Sequence, residues 1–278
     1  MRRLVFCLMF LVSPALLASE FSDLYLIPVA GHVTGVNGTN WMSDVAIHNA
    51  QPTPLNVQLV IIASGEGMPD NVGSLTSVTI PANGTRILRD VMSGSSANLG
   101  AILIGADRPF AVSSRAYIAD AAGGTQGQSI TPLRNFVDNS LAPADLSNAT
   151  AYVAGLTSNT HYRTNLGFVA GTPSGMALEV ALRGSDGTTL GTRTFIIPAN
   201  GFEHVQVSSQ ALTTQTFDEA SATFRIVSGT GSIAPYASVV DNISNGAFFI
   251  SSQFPPNAPF VGSASIFHLL FDQLRSPQ

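Results

Sequence analysis

The sequence predicts an all-β chain: two tandem Ig-like antiparallel β-sandwich domains behind a cleaved signal peptide. Three observations carry that reading. Short apolar stretches alternate with period two and are cut by turn-forming Gly, Pro and Asn. The series of stretches occurs twice, at an offset of about 120 residues, which points to tandem domains because solenoid repeats are far shorter. The chain also opens on a cationic tripeptide followed by an apolar run. Composition agrees: 45% of the 278 residues are apolar and 10% charged, with 25 Gly and 16 Pro. That is too apolar for a disordered chain and too interrupted for a coiled coil.

The leader comes first. Met1-Arg2-Arg3 is cationic, and Leu4 to Leu17 is apolar but too short to span a bilayer comfortably. Ser13-Pro14 breaks the run, and Ala18-Ser19 offers small residues for cleavage. The expectation is a signal peptide over residues 1–19 and an exported mature chain, periplasmic, cell-surface or extracellular, with no membrane span. The single cysteine, Cys7, falls within that leader, so the mature chain is expected to lack disulfides, a thiolate nucleophile and Cys metal sites.

The first repeat is expected over residues 21–138 and the second over 151–253. Asn40-Trp41-Met42-Ser43-Asp44-Val45-Ala46-Ile47 answers His161-Tyr162-Arg163-Thr164-Asn165-Leu166-Gly167-Phe168. Strands follow at Val57–Ile61 and Leu178–Leu182. Ile80-Pro81-Ala82-Asn83-Gly84 matches Ile197-Pro198-Ala199-Asn200-Gly201 most closely, and Asn-Gly between apolar strands signals a hairpin with positive φ at both central residues. Gly100–Ile104 answers Ala222–Ile226, and Ala111–Tyr117 answers Ala234–Val240, read as two successive strands in each unit. The stretch 139–150 reads as a linker. Phe254 to Pro259 is stiff, and a mostly apolar run, Ile266–Phe271, closes a tail over 254–278.

Function is narrowed mainly by exclusion. All 12 basic residues are Arg, which removes Schiff-base lysines, a P-loop lysine and a Ser–Lys dyad. A net charge of −5 argues against a nucleic-acid partner. Nucleophile-elbow, His-Glu-x-x-His, dinucleotide and calcium-loop patterns do not occur. No cofactor, catalytic residue or metal site is therefore expected. The glycine-rich Gly123–Gln128 reads as a mobile hairpin loop without the lysine of a phosphate cradle. The five histidines read as semi-exposed strand or turn residues, with His204 aligned to Ile87 and His48 to Val169. A Ser113 or Ser114 nucleophile beside one of them is a minor reading.

Four residues are candidates for ligand binding. Trp41, the only Trp, and Tyr162 in its place in the second repeat carry two readings: packing anchors, or aromatic platforms for a sugar ring. Asp44 is a short polar residue suited to bonding turn backbone or a ligand. Arg115 is suited to a carboxylate partner.

The strings Asn40-Trp41-x-x-Asp44-Val45-x-Ile47-x-Asn49, Pro81-Ala82-Asn83-Gly84 and Val112-Ser113-Ser114-Arg115-Ala116-Tyr117 resemble repeats in a group of uncharacterised exported bacterial proteins with tandem Ig-like β-sandwich units. The resemblance implies an envelope or extracellular setting and no particular activity. The expectation is an exported, non-enzymatic binding, adhesion or structural protein with a polysaccharide or protein ligand. The alternative is a secreted hydrolase or carbohydrate-active enzyme using dispersed carboxylates among Asp44, Asp90, Asp241 and Glu203.

Overall fold

The computed structural model describes residues 21–65, 72–73, 75–119, 123–134 and 150–253. The predicted leader, most of the linker, and the tail lie outside the described residues. The described chain is all-β, with antiparallel sheets and no α-helix. Among these residues no helix is long and apolar enough to cross a membrane.

The first half contributes β1 (Ser22–Gly31), β2 (Val33–Thr34), β3 (Asn40–His48), β4 (Leu55–Ala63), β5 (Thr76–Ile80), β6 (Thr85–Leu88), β7 (Leu99–Ala119), β8 (Thr125–Ile130) and β9 (Leu133–Arg134). β7 belongs to two layers. Its stretch from Leu99 to Gly105 lies between β1 and β4, whereas Ala111 to Ala119 pairs with β3 and β8. Between Gly105 and Phe110 the register to β1 breaks. Pro109 lies in this segment and has no N–H to donate to a ladder, so the strand can turn there from one sheet to the other. The layers are therefore β9-β1-β7-β4-β5 and β6-β3-β7-β8, with β2 on the end of β3.

The second half forms β10 (Thr150–Ser158), β11 (Tyr162–Thr172), β12 (Met176–Arg183), β13 (Thr189–Ile197), β14 (Gly201–Ser208), β15 (Phe217–Gly229), β16 (Ser232–Asp241) and β17 (Ala247–Ser251). Its sheets run β10-β15-β12-β13 and β14-β11-β16-β17. Strand for strand this is the order of the first half, with β15 and β16 standing for the two arms of β7. Even the short β9–β1 pairing has a counterpart, since Gln253 and Tyr152 exchange backbone bonds of 2.8 Å.

Three differences from the sequence reading stand out. The two strands expected at Gly100–Ile104 and Ala111–Tyr117 are one continuous strand; only the second copy is cut, at Gly229-Thr230-Gly231. The Asn-Gly turns are not two-residue hairpins. Each joins strands of opposite layers, β5 to β6 and β13 to β14, and positive φ falls on Asn alone, 50° at Asn83 and 56° at Asn200. The N–H of Gly84 bonds the carbonyl of Pro81, and a β-carbon on Gly201 would approach the carbonyl of Pro198 to 2.7 Å, so crowding accounts for glycine there. Thirdly, the expected glycine-rich loop is mostly strand. Thr125–Ile130 pairs with β7, and Gly127 lies where a side chain would overlap the Ala116 carbonyl. At the predicted linker, Thr150 already pairs with Arg225 in β10.

Each half buries alternate residues between its two layers. Val45, Ile47, Val57, Leu59, Ile102 and Ile104 fill the first; Leu166, Phe168, Leu178, Val180, Phe195 and Phe224 fill the second. A third apolar cluster joins the halves. Leu24, Leu26, Val60, Ile62, Ala101 and Leu103 point outward from the first half and pack with Val169 and Ala234 of the second. β1 and the first arm of β7 are thus buried on both faces, as their near-continuous apolar runs require.

Candidate functional site

The outward face of β14-β11-β16-β17 meets the first half along one side and stands apart from it along the other. The space left is a cleft of about 920 Å³. Trp41, near the start of β3, and Tyr162, at the start of β11, both line it. Period-two alternation puts Trp41 on the same side of β3 as Val45 and Ile47, at the open end of that core. Tyr162 packs against the edge of the second core in the same way. Two aromatic residues about 120 positions apart thus share one cavity.

Val29, Val33, Val36, Leu99 and Val240 give the wall an apolar part, and its polar part is mostly amide and hydroxyl. Asn159, Asn165, Gln128, Gln206, Gln210 and Asn242 line it, with Ser43, Ser158, Ser208 and Ser238. Arg163 is the only charged residue among them, and no described lining residue is a carboxylate. Desolvation lowers the Arg163 pKa against a smaller opposing pull from Asp241, and its Nη1 donates to Asn242 Oδ1 at 2.9 Å. Ser238 Oγ donates to Gln128 Oε1 at 3.1 Å, tying the two halves together across the wall.

Asp44 and Arg115 are elsewhere. They face each other across β3 and β7 on the outward side, in a shallower groove of about 520 Å³. Asp44 Oδ2 accepts from Arg115 Nη2 at 2.9 Å and from Arg89 Nη1 at 2.6 Å. Its Oδ1 accepts from Tyr117 O–H at 3.1 Å and from the Asp90 N–H at 3.0 Å. Burial by itself would raise this carboxyl's pKa, but the Asp90 N–H and the Arg115, Arg89 and Tyr117 donors outweigh it and hold the pKa below the usual range. Arg115 also lies over the Tyr117 ring at 4.1 Å. The motif Asp…Arg-Ala-Tyr is thus a structural staple that closes β3, β7 and the turn at Arg89-Asp90. The four sequence candidates separate into two pairs, one in the cleft and one on the outer sheet.

Sequence reasoning missed a fully buried imidazole. His204 is fully buried, not semi-exposed, because the first half covers the outward face of β14. Cross-strand register also moves it: His204 pairs with Val169 while His48 pairs with Thr85, so His204 takes the place of Thr85 rather than Ile87. β11 runs three residues, Ala170 to Thr172, past the equivalent of the last residue of β3, which shifts the alignment. His204 Nε2 lies 2.7 Å from the Tyr236 hydroxyl, and that hydroxyl donates to Gln206 Oε1 at 3.1 Å. The Tyr236 ring lies across Gly167, where any β-carbon would overlap it. Gly167→Ala should therefore displace the ring and destabilise the protein by about 1–3 kcal/mol, read from denaturant midpoints.

Of the remaining histidines, His268 lies outside the described residues. His32 pairs with Asp90 at 2.8 Å and His48 with Thr85 at 3.0 Å; neither bonds Ser113 or Ser114. Asp241 Oδ1 accepts the N–H groups of Ile243 and Ser244 in a turn, and Glu203 is buried. Among the described residues no group of three His, Cys, Asp or Glu side chains is placed to hold a metal. No protein-family model matches the chain, and no curated protein matches it.

Proposed function

We propose that this chain is an exported, non-enzymatic binding protein of two duplicated β-sandwich domains, and that it holds a polysaccharide segment in the cleft between them. The observation that carries the reading is the meeting of Trp41 and Tyr162 in one cavity whose other polar groups are almost all neutral. Saccharides present apolar C–H faces and a dense set of hydroxyls. Aromatic rings suit the first, and Asn, Gln and Ser, which both donate and accept, suit the second. The shared strand order of the two halves supports duplication. The Ig likeness extends to paired antiparallel sheets but not to strand order, which differs from the ABED and CFG sheets of immunoglobulin domains.

Self-assembly through repeated sheet packing draws little support. The face that is apolar in the first half carries Glu179, Arg183, Thr223 and Arg225 on β12 and β15 of the second. Polar outer faces end repeat arrays rather than extend them. The hydrolase alternative finds Asp44, Asp90 and Asp241 held in structural bonds, outside the cleft wall.

The test is depletion of the purified mature chain by insoluble polysaccharides and cell-envelope fractions. Trp41→Ala and Tyr162→Ala should each weaken retention at least about tenfold with folding unchanged, the loss of about 1.4 kcal/mol expected for a ring that anchors a ligand. Wild-type protein that stays in solution over every matrix would defeat the proposal.

A further inference from the structure

We infer that the buried His204–Tyr236–Gln206 chain is a proton-sensitive latch that holds the two halves closed beside the cleft at neutral pH and lets them part in acid. The latch stands on its own geometry; only its consequence, release of a bound ligand, rests on the cleft reading above.

The hydrogen positions follow from the partners. Gln206 Oε1 can only accept, so Tyr236 donates to it and must receive a proton from His204 Nε2. The opposite amide orientation would reverse the chain and place the imidazole hydrogen on Nδ1, which has no partner among the described residues. The closed form therefore contains neutral His204 with N–H at Nε2 and a bare Nδ1. Protonation would add a buried Nδ1–H with no acceptor and a charge in apolar surroundings.

Among the described residues, the surroundings offer that charge no partner. β4 has no ionisable residue, nor does β7 from Leu99 to Ala106. On β1, Asp23 is exposed. β16 brings Tyr236, whose phenol burial holds in its neutral form, and, at its far end, Asp241, engaged in a turn. β11 brings Arg163, bonded to Asn242, and β13 brings Arg193, over the Phe195 ring. Glu203, next to His204, falls on the opposite face of β14 by alternation. Burial is the single cause that takes the imidazole from its ordinary 6.5 to about 3.

The sign follows. The depressed pKa means that the opened form takes up a proton which the closed form refuses. Closure is fully favoured above pH 6.5 and weakens progressively down to about 3. At pH 4.5 the opening equilibrium should be about 100-fold larger than at pH 7.5. The latch touches both the interface and the cleft. The His204 carbonyl accepts the Gly65 N–H of the first half at 3.0 Å, and Gln206 is part of the cleft wall.

The test uses the full mature chain without ligand. Hydrogen exchange, corrected for intrinsic rates, is followed in β4, β14 and β16 at pH 7.5 and 4.5. The expected result is about a 100-fold rise in opening for the wild type and a rise below about fivefold for His204→Gln. Imidazole NMR of the wild type at neutral pH should show the Nε2–H form, which keeps the test decisive if the variant does not fold. Protection that ignores pH in the wild type, an equal pH response in His204→Gln, or an Nδ1–H imidazole would each overturn the latch. No ligand enters the experiment, so failed polysaccharide retention and a failed latch give separate results.

Discussion

Tyr236→Ala is expected to destabilise the protein by about 4–8 kcal/mol, the largest loss we expect from one substitution. Tyr236 belongs to the second half by sequence, yet its ring is fully buried and packs with the core residues of the first. It stacks near Phe249 at 5.5 Å and near His204 at 6.0 Å between centroids. Truncating a buried aromatic costs about 3–5 kcal/mol through lost burial and a cavity. Stranding His204 Nε2–H and Gln206 Oε1 adds about 1–3 kcal/mol. Tyr236→Phe keeps the ring and should cost only that second part. Urea unfolding separates the cases. Trp41 fluorescence reports the first half and its side of the cleft, whereas circular dichroism reports the strands of both halves. The two signals should coincide in the wild type and separate in Tyr236→Ala, because this ring couples the halves. Coincident transitions at an unchanged midpoint would contradict that role.

Asp44→Ala should cost about 2–3 kcal/mol. The carboxylate is 5% exposed and accepts from two guanidiniums, a phenol and a backbone N–H. Its removal leaves Arg115 and Arg89 beside each other with no shared counter-charge. Their side chains are 42% and 63% exposed, so water recovers part of the loss and the larger penalty of a wholly buried pair does not apply. Asp44→Asn keeps the shape and one acceptor oxygen but not the charge, and should fall between wild type and Ala. Because the folded pKa lies below 3.8, the contribution is complete above that value and is lost as pH falls through the folded one. Acid destabilisation between pH 6.5 and 4 therefore belongs mainly to His204, and below it Asp44 adds its loss together with the other lowered carboxyls, Asp241 and Asp186. A double-mutant cycle with Arg115→Ala should show coupling of about 1 kcal/mol or more at pH 7, falling as acid protonates Asp44.

The sites show unequal legibility. Asp44 and Arg115 were readable as a polar residue bonding a turn and an arginine seeking a carboxylate, and they proved to be partners. Strand pairing alone brings them face to face, so nearby sequence was enough. Trp41 and Tyr162 were readable as equivalent residues in two repeats, but nothing local says that equivalent residues share a cavity. His204 was misread because its strand alternates like any half-buried strand. Its burial comes from a surface that another part of the chain supplies. The Asn-Gly turns misled for a related reason: the dipeptide marks a tight reversal, while the layer that the next strand joins is set by packing.

The sequence alone determined the β class, the alternating core residues of each strand and the existence of two copies. These follow from the backbone, because a strand turns successive side chains to opposite faces and a buried face must be apolar. Tertiary structure alone decided which outward faces are covered. The outward residues of β1, β4 and β7 meet β11 and β16, whereas Glu179, Arg183, Thr223 and Arg225 on β12 and β15 reach solvent. Period-two patterning records only that a second face is apolar, not what lies against it. The cleft, the pairing of Trp41 with Tyr162 and the buried imidazole all arise from that docking of one half on the other.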